Sequence, residues 1–349
     1  MDFREMGSIF KIWYRLLLVI ILCGCVGSFE QEDAVIREAA RLMQEQPDSA
    51  LRVLGNVSRH SLRGDTLARY ALIHSIAQDK SGQDVTNDSL LRIAYGYYSR
   101  HPEDSLYARS QYYMGKYLCL TEQPDSAYGC LLRAKTASVS DSDYYTAYLA
   151  TDRMRRIAEI SDTALCLSLS KEAYRLYLKH GAANPANEAY LLRGIGDSFH
   201  RCHESDSTLY YYNRALGKAR LAGDSTAIAS VFYKISLHYW HYKQYVKAFE
   251  YAQQALRYKG YLDLSLLKLL ALCYIENSEY EKARQYIDAM PSAESKETRL
   301  VKLRMQKYVS YFRNRYQDEN TYKSHKKDSN PNYQWDWSGL IGSMNFKRY

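Results

Sequence analysis

Six prolines and seventeen glycines in 349 residues are too few for a turn-rich all-β fold and leave long helices as the favoured element. Long apolar runs are also missing. The charge-free stretch near the N-terminus, Leu16 to Phe29, holds fourteen residues, short of the ~20 that span a bilayer, and no span of that length follows Pro291. The spacings that announce catalysis or ion binding are absent as well: there is no HExxH, GxSxG, P-loop, GxGxxG or EF-hand loop. No catalytic residue, cofactor or metal is therefore expected, and the chain reads as non-enzymatic. Two histidine pairs, His200 with His203 and His238 with His241, stand one turn apart and could grip a metal at two points. No third and fourth ligand lies nearby in sequence, so they read as packing or surface side chains.

What is present describes a folded body. The chain is 46% apolar and 25% charged, with 35 tyrosines, which excludes disorder as the default. The net charge of +8 is uneven: residues 293–349 hold twelve Lys or Arg against six Asp or Glu. Such an end can meet an anionic surface or form the solvated face of a terminal helix.

At the N-terminus, Arg4, Lys11 and Arg15 precede the apolar run Leu16 to Leu22 and then Leu22-Cys23-Gly24-Cys25. Basic residues before a short apolar core are the pattern of a secretory signal. The tetrapeptide resembles the lipobox of bacterial lipoproteins, which implies a signal peptide over 1–24 and lipidation (palmitate among the acyl chains) at Cys25. Several acyl chains would hold the chain to a membrane almost permanently, since each buried CH₂ contributes about 0.8 kcal/mol. Val26 after Cys25 resembles lipoproteins sorted to the outer membrane, so the expected address is the bacterial cell envelope, on either side of that membrane. The remaining cysteines, Cys119, Cys130, Cys166, Cys202 and Cys273, are an odd, widely spaced set without CxxC; buried packing rather than a disulfide framework is expected.

The tetrapeptide PDSA occurs at 47–50 and 124–127, and related openings at 161–165 (SDTAL) and 205–209 (SDSTL). Asp or Ser ahead of an apolar run predicts a capped helix start. Aligned on Ala127, Ala164, Thr208, Ala248 and Ala283, these segments recur at intervals of 37, 44, 40 and 35 residues, the range of helix-turn-helix repeats. At this point the chain resembles the tetratricopeptide-repeat (TPR) family, whose pattern asks for small, aromatic, small, large and small residues at set places. Gly115, Leu118, Ala127, Leu131 and Ala134 fit one repeat, and Gly196, Phe199, Thr208, Tyr212 and Ala215 another. Ser236, Tyr239, Ala248, Ala252 and Ala255 fit a third, with Ala271, Tyr274, Ala283, Ile287 and Met290 the last. The repeat around Ala164 is degenerate, with Asp152 where a small residue belongs. Residues 67–101 are also similar to the N-terminal part of membrane-bound TPR regulators of bacteria. The implied fold is an all-α, TPR-type α-solenoid of antiparallel helix pairs over 33–291. A tether over 25–32 precedes it; a basic capping helix over 292–327 and an aromatic tail over 328–349 follow.

In that family the first helix of each pair lines a concave face. Carried onto this sequence, the implied face comprises Tyr112 and Lys116, then Tyr190, Arg193, Asp197 and His200, then Tyr233, Trp240 and His241, and Lys268. Aromatic rings beside cations suit a peptide segment; the same tyrosines also serve as partly exposed filler. The carboxylate-clamp pattern, which wants Asn at one position, is not met at Lys116, Asp197, Leu237 or Leu272. Asp-Ser/Thr triplets, among them those at Ser49, Ser126 and Ser207, resemble acceptors of an envelope O-glycosylation system, although capping explains them too. The expected function is a lipid-anchored scaffold binding a protein or peptide, and no nucleic acid. A sensory TPR module and a carbohydrate-handling envelope protein are the alternatives.

Overall fold

The computed structural model describes residues 31–83, 89–181, 184–258, 264–277, 279–290 and 296–315. Cys25, the signal segment 1–24 and the tail 328–349 lie outside the described residues, as does most of the tether. Every regular element among the described residues is a helix, as the sparse proline and glycine predict. None of these helices is long and apolar enough to cross a membrane.

The chain divides into two compact units, Met1–Ala182 and Ala183–Tyr349. The first contains α1 (31–42), α2 (Pro47–Leu54), α3 (Gly64–Lys80), α4 (Ser89–Tyr98), α5 (Tyr107–Leu120), α6 (Pro124–Ser140), α7 (Tyr144–Ser161) and α8 (Thr163–His180). The second contains α9 (Pro185–Arg201), α10 (Ser205–Leu221), α11 (Ser225–His241), α12 (Tyr245–Tyr258), α13 (Leu264–Glu276), α14 (Tyr280–Asp288) and α15 (Lys296–Arg315). Within each unit the helices form antiparallel pairs, and the first helix of a pair packs on both helices of the pair before it: α7 on α5 and α6, α11 on α9 and α10, α13 on α11 and α12. Each unit is thus an α-solenoid stack. Helix α15 closes the second against α14; it buries Val301, Met305 and Val309, and Lys302 Nζ donates to the carbonyls of Asp288 (3.0 Å) and Met290 (2.7 Å) at the end of α14.

The turns are built alike. A single left-handed residue such as Glu122, Ser142, His203 or Lys243, with φ of 57–59°, reverses the chain. The next N–H then reaches a carbonyl five residues back, as from Gln123 to Leu118 (2.9 Å) and from Gln244 to Tyr239 (2.9 Å), satisfying a helix end in the Schellman manner.

The helix starts differ from the expectation. Pro47 and Pro124 occupy the first helical turn, so Asp48 and Asp125 lie inside it, and the capping positions are Gln46 and Gln123, which make no side-chain cap bond. Pro fits there because its missing N–H has no intrahelical partner to lose, and the carboxylates act on the positive end of the helix dipole. Asp206 behaves in the same way. Of the four openings, only Asp162 caps, accepting the N–H of Leu165 at 2.9 Å; Asp143, Asn184 and Asp224 are further caps.

Close approach within pairs follows the small residues. A Cβ on Gly115 would fall 2.7 Å from Leu131 Cγ, and one on Gly196 2.5 Å from Tyr212 Cδ1. Ser236 Oγ donates to the Ala248 carbonyl across the next pair. The degenerate repeat needs correction: Ala164 is exposed, and the buried series in α8 is Cys166, Ser170 and Ala173. Cys166 lies four residues into α8 as Ala127 does in α6 and Thr208 in α10. The register therefore shifts by two, because Asp162 is the cap of α8 whereas Asp125, with which the sequence aligns it, is the second residue of α6. Met154, not Asp152, then takes the place of Gly115, and Ser170 that of Leu131; both are buried. Asp152 is buried as well and paired with Arg155 at 2.8 Å. Cys130, Cys166 and Cys273 are buried, and Cys119 and Cys202 are half-buried.

Candidate partner-binding face

Helices α9 and α11 are neighbouring first helices in the second unit, and their facing rows repeat every three or four residues. Tyr190, Arg193, Asp197 and His200 form one row; Ser230, Lys234, His238 and His241 form the other. Three contacts join them in register: Arg193 Nη1 donates to Ser230 Oγ (2.6 Å), Lys234 Nζ meets Asp197 Oδ1 (3.2 Å), and Nδ1 of His200 lies 3.1 Å from Nδ1 of His238. From α10, the Tyr212 hydroxyl donates to Asp197 Oδ1 at 2.8 Å. Tyr190 stands at the open end, 37% exposed, with the Arg193 guanidinium 5.3 Å from its ring centroid.

At the other end four histidines gather. His241 lies 5.3 Å from His200 and stacks on His203 at 5.5 Å, centroid to centroid. Ser205 Oγ is 3.0 Å from His238 Nε2. One proton between the two Nδ1 atoms satisfies both rings of the His200–His238 pair; a second would set N–H against N–H. Burial, then repulsion from His238 and His241, pushes His200 down to about 4 against the opposing pull of Asp197. Burial and His241 push His238 to about 4. Among the described residues no three His, Cys, Asp or Glu side chains are arranged to hold a metal ion.

No family model matches this sequence, and no curated protein matches it. Solved structures do. Apo NprR, a quorum sensor from B. thuringiensis, aligns over 84% of this chain and 85% of its own at 17% identity, TM-score 0.64. NprR in complex with its cognate peptide NprX aligns over 86% and 89% at 17% identity, TM-score 0.58. A signal-transduction ATPase with a tetratricopeptide-repeat sensor from Pyrococcus horikoshii aligns over 88% of this chain but only 47% of its own, at 17% identity and TM-score 0.61. The fold is a tetratricopeptide-repeat solenoid. At such identity the likeness is one of fold, and the chemistry must come from the side chains present.

In this TPR fold the sequence-derived face divides. Tyr190, Arg193, Asp197 and His200 share one row, and His241 joins them through His200. Tyr233 is half-buried. Trp240 is 7% exposed, packed 4.8 Å from Tyr245 across the α11–α12 pair, and Lys268 is 7% exposed; both are buried. In the first unit Lys116 is ion-paired to Asp79 on α3, and its pKa is lowered, first by burial, with Asp79 opposing. Tyr112 is 6% exposed and hydrogen-bonded to Arg153 on α7, so it bridges helices more than it offers surface. Ser230 and Lys234 escaped sequence reasoning, and His238 was read only as one of a histidine pair, not as part of this face. The available signal was an offset of 37 or 38 residues from Arg193, Asp197 and His200, close to one repeat.

Proposed function

We propose that this chain is a lipid-anchored TPR scaffold of the bacterial cell envelope, probing a protein or peptide partner with the first-helix face of its second unit and carrying out no catalysis. The observation that carries the reading is the α9–α11 ladder. It fixes Tyr190 and Arg193 on a rigid base, where a ring and a guanidinium offer contact area at little entropic cost. Support comes from NprR, which shares the fold and was solved with its cognate peptide. The anchor rests on the sequence around Cys25.

A photo-crosslinking residue placed at Tyr190 is expected to yield a discrete adduct in intact cells, whereas one at Leu221, 74% exposed on α10, yields none. Equal labelling from both positions would refute the face. In the same cells, Cys25→Ser is expected to move the protein from the detergent phase to the aqueous phase on phase partitioning; an unchanged partition would remove the anchor while leaving the face untouched. A sensory role is the second reading, favoured by the sensors among the structural neighbours. A diffusible peptide rather than an envelope protein in the Tyr190 adduct distinguishes it.

A further inference from the structure

On the second-helix side of the first unit, α4 and α6 stand apart above α5 and leave a groove of about 610 Å³. Its floor is Met114, Leu118 and Cys130, and its walls carry Arg92, Tyr95 and Arg133. Two guanidinium groups and no carboxylate line it. The volume lies within the ~300–1,000 Å³ of small-molecule sites.

Arg133 is held in place. Its Nε donates to Oε1 of Gln111 at 3.1 Å, and Gln111, 1% exposed, is itself bound through Nε2 to Ser99 Oγ at 3.1 Å. Nη2 of Arg133 reaches the Tyr95 hydroxyl (3.4 Å) and Cys130 Sγ (3.2 Å). All these partners are neutral. Nη1 has no hydrogen-bond partner among the described residues and lies 3.7 Å from where a Gly129 Cβ would stand, on the groove wall. A guanidinium fixed by a buried amide and facing an apolar floor is preorganised for a charged oxygen, because little rotamer freedom remains to be lost on binding. The Arg92 guanidinium, 5.9 Å from the Tyr117 ring centroid, supplies the second positive charge.

We propose that this groove binds a small amphipathic carboxylate, its carboxylate on Nη1 of Arg133 and its hydrocarbon on Met114, Leu118 and Cys130. The site is separate from the partner-binding face and does not depend on it. Charge complementarity selects the head group, and the apolar floor selects the tail.

Titration calorimetry of the full chain with decanoate, below its micellar concentration, tests the site. Decanoate is expected to bind at least tenfold more tightly than decanol or decyltrimethylammonium. Arg133→Gln is expected to weaken it at least tenfold while circular dichroism still shows the folded helical chain, with a melting temperature lowered by the lost bond to the buried Gln111. Gly129→Leu, which fills the groove where a Cβ meets nothing closer than 3.7 Å, is expected to abolish binding while the fold persists. Equal affinity for decanol, or decanoate binding unaffected by either variant, would overturn the proposal. So would tighter binding of an acidic peptide such as tetraglutamate, or binding only to phosphatidylglycerol vesicles; these would reassign the groove to a protein or to a membrane surface.

Discussion

Acidification from pH 7 to 4.5 is expected to destabilise the second unit by roughly 3 kcal/mol through the His200–His238 pair. Both rings are held neutral in the fold, with pKa values of about 4, against about 6.5 for an unperturbed histidine. Below pH 6.5 the unfolded chain therefore binds protons that the folded chain refuses. The stabilisation is complete above pH 6.5, declines as the pH falls towards 4, and levels off once the folded rings accept protons. A drop of about 2.5 pKa units at one ring corresponds to roughly 3 kcal/mol; because the two rings share one hydrogen bond, their contributions do not add. The groups facing the pair set the outcome. His241 adds repulsion at both rings, Lys234 repels His200, and Asp197 alone attracts it. Urea midpoints followed by circular dichroism at pH 7, 5.5 and 4.5 measure the loss. Replacing both rings, His200→Gln with His238→Gln, removes both titrating groups, which burial and His241 hold down independently of each other, and is expected to remove at least half of the decline. Parallel pH profiles for the variant and the parent would show that other groups drive acid unfolding.

The helix pairs were legible in the sequence because close approach demands small side chains, and small side chains recur at fixed distances from the turns. Gly115, Gly196, Ser236 and Ala271 were placed for that reason. The pair α7–α8 was misread because its Asp, Asp162, caps the helix where Asp125 lies inside one, which displaced the alignment from Cys166 to Ala164. A residue-class pattern also cannot see that the pair exchanges its sizes, with large Met154 on the first helix and small Ser170 on the second. Size complementarity survives where residue type does not. The candidate face was half legible. The α9 row could be read from one helix, but its α11 partners depend on how pairs stack. Trp240 and Lys268 carry the chemistry of a surface and sit inside, because helix rotation, not residue type, decides exposure. The Arg133 groove was not legible at all, since Gln111 and Arg133 meet only after α5 and α6 have packed.

Gly196→Ala is expected to cost about 2 kcal/mol, reversing the ~1 kcal/mol that alanine ordinarily gains over glycine inside a helix. The added methyl would sit 2.5 Å from Tyr212 Cδ1 and 2.6 Å from Cε1, far inside the ~3.5–4.0 Å of carbon contact. Tyr212 cannot easily yield. Its ring is 1% exposed, and its hydroxyl is tied to Asp197, so relief requires α9 and α10 to separate, and overpacking of this kind costs about 1–3 kcal/mol. The melting temperature should fall by about 5 °C. Tyr212→Leu alone is also destabilising, through lost contacts and the lost hydrogen bond, although Lys234 still pairs with Asp197. Combined, the two changes install at this position the small-against-branched pairing that Ala271 and Ile287 provide in α13–α14. The double variant should therefore lose at least 1 kcal/mol less than the two single losses together, the coupling that residues in direct contact show. Strict additivity would mean that Gly196 and Tyr212 do not oppose each other, and the assigned register of the pair would fall with it.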